Sequence, residues 1–174
     1  MNFEKHAFIS YAHIDNQPLT PEQQGWVSRF HASLEAMLSM RIGRKAEIWR
    51  DQKISGNDLF GDEIVAQFPK TAMLVSVLTP RYMESDWCTR EVLEFCKAAE
   101  QCVGVVLENK SRVIKVIKTP VENENPLPPL VKQTLGYEFY TTVEQAPLEL
   151  DPAYGPELGQ KYNLKLAKLA WEMA

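Results

Sequence analysis

Trp87 and Glu91 stand four residues apart, one turn apart on the same face of a helical pattern. They close the segment Pro80-Arg81-Tyr82-Met83-Glu84-Ser85-Asp86-Trp87-Cys88-Thr89-Arg90-Glu91, which follows the apolar run Ala72 to Leu78. An indole offers a flat stacking surface, and a carboxylate accepts two hydroxyl hydrogen bonds or stabilises a nearby positive charge. The pair therefore suits a ring-bearing ligand with hydroxyls. The same spacing also fits a half-buried tryptophan at a helix start, with Glu91 on a solvated face near Arg90. Two further polar segments follow strand-like runs: Tyr11-Ala12-His13-Ile14-Asp15, and Trp49-Arg50-Asp51 leading to a loop with Gly56.

These segments need a scaffold, and the alternation of short β-rich runs with helical patterns supplies one. It predicts an α/β fold, a parallel sheet of about five strands with helices on both faces. Strands are expected at Ala7 to Tyr11, Ala46 to Trp49, Ala72 to Leu78, Val113 to Ile117 and Tyr137 to Tyr140. The third is apolar on both faces and belongs in the sheet centre. Thr20-Pro21-Glu22-Gln23 reads as an N-cap, a first-turn proline and a capping-box glutamine, so a helix is expected to start there. Its stripe is Trp26, Phe30, Leu34, Met37 and Leu38. A short helix is expected over 58–68, and another from Asp86 to about Gln101, capped by Ser85, with Cys88, Val92, Phe95, Cys96 and Ala99 facing the core. Loops are expected over 121–129 and 147–156, before a final helix carrying Tyr162, Leu166, Leu169, Ala170 and Met173. That helix is still amphipathic where the sequence stops, so residues 1–174 are expected to be a single domain, the N-terminal module of a longer protein. In an open parallel sheet, ligands bind at the carboxyl ends of the strands, where all three polar segments fall.

Composition removes several function classes. With 174 residues, 45% hydrophobic and 24% charged, the chain can bury roughly 70% of the surface its unfolded form exposes. A net charge of −4 argues against binding a phosphate backbone or an anionic membrane surface. No apolar run approaches the length of a bilayer span, and no secretory signal is visible at Met1 to His6, so a cytoplasmic location is expected. Of three cysteines, Cys88 and Cys96 lie about 12 Å apart along one helix and cannot bridge, which predicts reduced thiols. The eight glycines never form G-x-G and no G-K-[ST] occurs, excluding a Rossmann fingerprint and a P-loop. His6, His13 and His31 have no metal-ligand spacing with the cysteines, so no metal is expected. Thr79-Pro80 stands where a phosphoacceptor receiver would need an aspartate.

Three fragments in register carry a family resemblance. Phe8-Ile9-Ser10-Tyr11, then Trp49-Arg50-Asp51 with its glycine-bearing loop, then Val75 to Pro80 with Ser85 to Glu91, together resemble a Toll/interleukin-1 receptor (TIR) domain of the bacterial type, over roughly residues 5–140. The resemblance implies a flavodoxin-like sheet and one of two roles. Many TIR domains cleave the nicotinamide–ribose bond of NAD, giving nicotinamide with ADP-ribose or a cyclic isomer; others bind TIR domains as adaptors without catalysis. Carried over, Glu91 in Trp87-Cys88-Thr89-Arg90-Glu91 is the catalytic carboxylate and Trp87 stacks near the ligand. Tyr11 and Ala12 border the nicotinamide end, and Trp49, Arg50 and Asp51 join the substrate site. Lys53, Ile54, Ser55, Gly56, Asn57 and Asp58 form the loop that contacts a neighbouring subunit, here without the proline that often precedes the glycine in receptor-type members. NAD is then a substrate and no cofactor is implied. The implied partners are other TIR domains and a C-terminal sensor or oligomerisation domain, in an immune or antiphage effector.

The chemistry suits these residues. Departure of neutral nicotinamide leaves an oxocarbenium-like ribose, which a close carboxylate stabilises. The nearby helix N-terminus is expected to keep Glu91 ionised. A carboxylate at position 91 favours the enzyme over the adaptor. A nucleoside ribosyl-transfer enzyme, which would share a related sheet and a catalytic carboxylate, remains a third reading.

Overall fold

In the computed structural model, which describes residues 2–52 and 61–174, five strands pair in parallel. They are β1 (Lys5–Ser10), β2 (Ile48–Arg50), β3 (Thr71–Leu78), β6 (Val113–Ile117) and β7 (Tyr137–Glu138), in the order β2-β1-β3-β6-β7. This is the flavodoxin-like order, with β3 in the centre as its two-sided apolar pattern requires. Registers such as Ala7↔Ile48, Ser10↔Ser76 and Ser76↔Lys115 place the carboxyl ends of the strands along one edge.

Strand alternation divides the core in two. Ala7, Ile9, Val75, Val77 and Val116 face α1 (Trp26–Ile42) and α6 (Pro156–Met173), whose Trp26, Phe30, Leu34, Tyr162 and Leu166 fill that side around Phe139. Phe8, Leu74 and Leu78 face α3 (Pro80–Glu84) and α4 (Asp86–Glu100), which contribute Tyr82, Cys88, Val92 and Phe95. The expected Ser85 cap on α4 is present, its side chain accepting from the Cys88 amide at 3.2 Å. Cys88 is buried, Cys96 half-buried and Cys102 exposed, all three as free thiols.

Four expectations are corrected. The first helix begins at Trp26, not at Thr20, because its capping group comes from elsewhere in the chain. Asn16, in the 3-10 turn His13–Asn16 after β1, accepts from the Ser28 amide at 2.8 Å and donates to Ser28 Oγ at 2.9 Å. The chain approaches so closely there that a Cβ on Gly25 would lie 1.8 Å from the Asn16 carbonyl oxygen. Thr20 to Gln23 forms a turn instead, Gln23 N donating to Thr20 O at 3.1 Å. The helix expected over 58–68 is only α2 (Asp62–Val65) before the 3-10 turn Phe68–Lys70, whose Pro69 cannot continue an α-helix; residues 58–60 lie outside the described residues. A hairpin, β4 (Val106–Leu107) with β5 (Lys110–Ser111), precedes β6, and α5 (Pro129–Gln133) follows the long loop. The expected fifth strand, Tyr137 to Tyr140, is divided: β7 ends at Glu138, and Tyr140 opens a second hairpin, β8 (Tyr140–Val143) with β9 (Ala146–Glu149), whose second strand runs into the start of the expected 147–156 loop, before the 3-10 turn Pro152–Tyr154. No described helix is long and apolar enough to cross a membrane.

Candidate functional site

Glu91 is the sixth residue of α4, and the helix carries it under the carboxyl end of β1, where it is 2% exposed. The apolar stripe of α4 had suggested a solvated face for it. The sheet edge covers that face instead, and Ser10 Oγ donates to Glu91 Oε1 at 2.9 Å. Burial pushes the carboxyl up to about 8, opposed by the Ser10 hydrogen bond and reinforced by the Asp51 charge. The expectation that the helix terminus keeps Glu91 ionised is therefore corrected. The macrodipole acts within the first turn, and Glu91 sits beyond it, where desolvation dominates.

A narrow crevice lies above this carboxyl, lined by Ile9, Tyr11, His13, Asp51, Trp87 and Glu91 and closed to a water-sized sphere. Three separate elements converge here: β1 with its following loop, the end of β2, and α4. Tyr11 is held by its hydroxyl, which donates to the Asp51 carbonyl at 2.9 Å, and its ring centroid lies 4.9 Å from that of His13. Burial raises the Tyr11 phenol above its ordinary value and lowers His13 below its own, so both are neutral near pH 7. With two neutral rings and a half-buried Trp87, the crevice presents aromatic walls over the buried Glu91 carboxyl, with Asp51 at its side. Ligand pockets for whole drug-sized molecules occupy about 300–1,000 Å³, so a ligand reaching Glu91 has to part the side chains that close this crevice.

The remaining residues singled out by sequence lie around the cleft. Ala12 is buried at the end of β1 on the α4 side of the sheet. Trp49 packs in the core on that side, 4.3 Å from Phe8 and 6.4 Å from Phe68 between ring centroids, and does not line the cleft. Arg50 points to the opposite face. It donates to Ser28 Oγ at 3.0 Å, makes a short contact with His31 Nδ1, and lies 5.9 Å from the Tyr11 ring centre, stiffening the Tyr11 wall from behind. Lys53, Ile54, Ser55, Gly56, Asn57 and Asp58 lie outside the described residues.

Sequence reasoning missed three groups beneath Glu91: Ser10, Ser76 and Tyr82, each fully buried. A signal existed in Ser76, a hydroxyl in the middle of the apolar run Val75 to Leu78 that had to find a buried partner. His13 had drawn notice only as a lone loop histidine, and the 3-10 turn brings it to the cleft. Asp15, from the same turn, accepts from Thr79 Oγ1 at 2.5 Å, and burial raises its carboxyl above the ordinary value. This bond joins the ends of β1 and β3 at the edge that holds the cleft.

No protein-family model and no curated protein matches the sequence. Among solved structures, the chain is similar to the TIR domain of the Toll-related receptor TRR-2 from Hydra magnipapillata. The match has 12% identity, covers 76% of this chain and 82% of that one, and has a TM-score of 0.42.

Proposed function

We propose that the chain is a TIR domain that cleaves NAD at the nicotinamide–ribose bond, with Glu91 as the catalytic carboxylate. The observation that carries this reading is the Glu91 carboxyl, 2% exposed, beneath Tyr11, His13 and Trp87 on the carboxyl edge of the sheet, with Asp51 beside it. The three sequence fragments that resemble a TIR domain converge on that edge.

The pyridinium end of NAD is a cation bonded to a ribose with free hydroxyls. In the empty site, Glu91 is protonated at neutral pH because ionisation there is costly. Entry of the pyridinium between Tyr11 and Trp87 supplies the missing counter-charge, and a cation within about 4–6 Å lowers a carboxyl pKa. Substrate binding and ionisation of Glu91 are then coupled. When the C1′–N bond breaks, its electron pair leaves with nicotinamide, and the positive charge passes from the ring to the ribose. A carboxylate in a low-dielectric cleft is worth most at that moment, since no water competes with it. Water then attacks C1′, giving ADP-ribose and a proton; a ring nitrogen of the adenine attacking instead gives a cyclic isomer. The loop from Lys53 to Asp58 follows Asp51 and Gln52 in sequence and belongs to the contact with a neighbouring TIR domain in this reading.

Chromatography of NAD incubated with increasing concentrations of the protein tests the proposal. Equimolar nicotinamide and ADP-ribose, or its cyclic isomer, is the expected result. Release of free base from nucleosides, with NAD left intact, would replace it with the ribosyl-transfer reading. Intact NAD at every concentration would leave the adaptor role.

A further inference from the structure

Glu91 ends a line of buried hydroxyls. Ser10 and Ser76 are register partners on β1 and β3 with their side chains toward α3 and α4, and Tyr82 of α3 sits between them. Ser76 Oγ donates to Tyr82 Oη at 2.7 Å, Tyr82 Oη and Ser10 Oγ are 2.7 Å apart, and Ser10 Oγ lies 2.9 Å from Glu91 Oε1. Tyr82 Oη is also 3.3 Å from the carbonyl oxygen of Cys88. All three hydroxyl residues are 0% exposed.

We propose that Ser10 and Tyr82 are positioning residues for Glu91, forming with Ser76 a hydroxyl chain that is satisfied in two opposite directions, one matching a carboxylate and the other a carboxylic acid. In the first, Ser76 donates to Tyr82, Tyr82 to Ser10, and Ser10 to the carboxylate, so every hydroxyl proton points at the charge. In the second, the Glu91 acid proton goes to Ser10, Ser10 donates to Tyr82, and Tyr82 turns to the Cys88 carbonyl, which has a second lone pair free. Ser76 keeps its bond to Tyr82 in both. No buried donor is orphaned in either state, so Glu91 can exchange its proton as a cationic ligand arrives without rearrangement of the core. A chain that only satisfied one protonation state would have no use for the Cys88 carbonyl as a second terminus.

The other ionisable groups around Glu91 leave the effect readable. From α4 come Cys88, whose thiol burial pushes up to about 12, and Arg90, adjacent in sequence. The β1 loop contributes Tyr11, raised by burial, and His13, lowered by burial; α3 contributes Tyr82, raised by burial. Asp51 approaches from the end of β2 and disfavours a second negative charge. Cys88, Tyr11 and Tyr82 are pushed upward from their ordinary values and His13 downward from its own, all four away from the range in which Glu91 titrates.

The catalytic meaning of this chain rests on the proposed role of Glu91, but its test does not need turnover. The protein is labelled with 13C at the glutamate carboxyl, and the Glu91 resonance is assigned by its loss in Glu91→Gln and followed from pH 5 to 10. A midpoint near 8 is expected. Ser10→Ala should raise it by about one pH unit, Tyr82→Phe should raise it by less, and Ser10→Thr should restore it. An unchanged midpoint in folded Ser10→Ala overturns the proposal, as does one unchanged in Tyr82→Phe. If Tyr82→Phe does not fold, Ser10→Ala with its threonine rescue decides alone. Shifted midpoints in a protein that leaves NAD intact support the hydroxyl chain and remove the catalytic role instead.

Discussion

Replacing Glu91 by glutamine should make the protein more stable, and by an amount that grows with pH. The unfolded carboxyl loses its proton near 4.5, whereas the folded one holds it to about 8. Between these values the folded state binds one proton more than the unfolded chain, so its stability falls by about 1.4 kcal/mol per pH unit as pH rises. The accumulated penalty is about 3 kcal/mol at pH 7 and about 5 kcal/mol at pH 9, against a typical domain stability of about 5–15 kcal/mol. Glutamine keeps the shape and can still accept from Ser10, but it cannot ionise. Urea unfolding of wild type and Glu91→Gln at pH 5, 7 and 9 should give a stability difference that is smallest at pH 5 and widens by several kcal/mol at pH 9, with equal slopes. A difference that stays constant across this range would refute the assignment of Glu91 as a desolvated carboxyl. A gain in stability on removing a polar group marks a residue kept for activity at the expense of the fold.

The pH dependence of NAD cleavage should carry the same signature: kcat/KM, which reports the free enzyme, should rise through a limb near 8, and kcat through a lower one, because the bound pyridinium favours the carboxylate. Gly25→Ala should destabilise the protein by about 3 kcal/mol in thermal or urea unfolding, since its Cβ would meet the Asn16 carbonyl at 1.8 Å and displace the cap on α1. Arg29→Ala should cost about 3 kcal/mol at pH 7, because Arg29 holds Asp151 through bonds of 2.6 and 2.7 Å and the abandoned carboxylate is 5% exposed. Burial opposes ionisation of Asp151, but the Arg29 and Ala153 hydrogen bonds outweigh it and hold the carboxyl below the ordinary value of 3.8, so the gap between wild type and variant should narrow in unfolding measurements below that pH. Phe139→Ala should cost about 4 kcal/mol by the same assay, since its ring packs edge-on against Trp26, Phe30 and Tyr162 with no solvent exposure.

The parallel sheet was legible in sequence because its strands are short apolar runs between helical stripes, a pattern set by burial on both faces. The start of α1 was not, because the local capping pattern at Thr20 competes with a remote cap from Asn16 that no window of sequence contains. The two hairpins were hidden for a chemical reason. Their turns place Glu108, Asn109, Glu144 and Gln145 at positive φ, where glycine or an asparagine–glycine pair is the usual signal. At the site, the spacing of Trp87 and Glu91 identified the pair, but the helical stripe assigned Glu91 to solvent. Only the end of β1, with Ser10 over that face, turns the position into a buried one and reverses its expected ionisation. Trp49 shows the complementary case: adjacent in sequence to Arg50 and Asp51, it points by strand alternation into the core, while Asp51 reaches the cleft.

NAD cleavage through Glu91 is tested most directly by the initial rate of nicotinamide release at saturating NAD, measured for wild type and for Glu91→Gln at equal concentrations, both shown to be folded by their unfolding transitions. Loss of a carboxylate that stabilises the developing ribosyl cation should slow the variant by about 10²–10³-fold or more. Wild-type turnover matched by Glu91→Gln would contradict the assignment of this residue as the catalytic group.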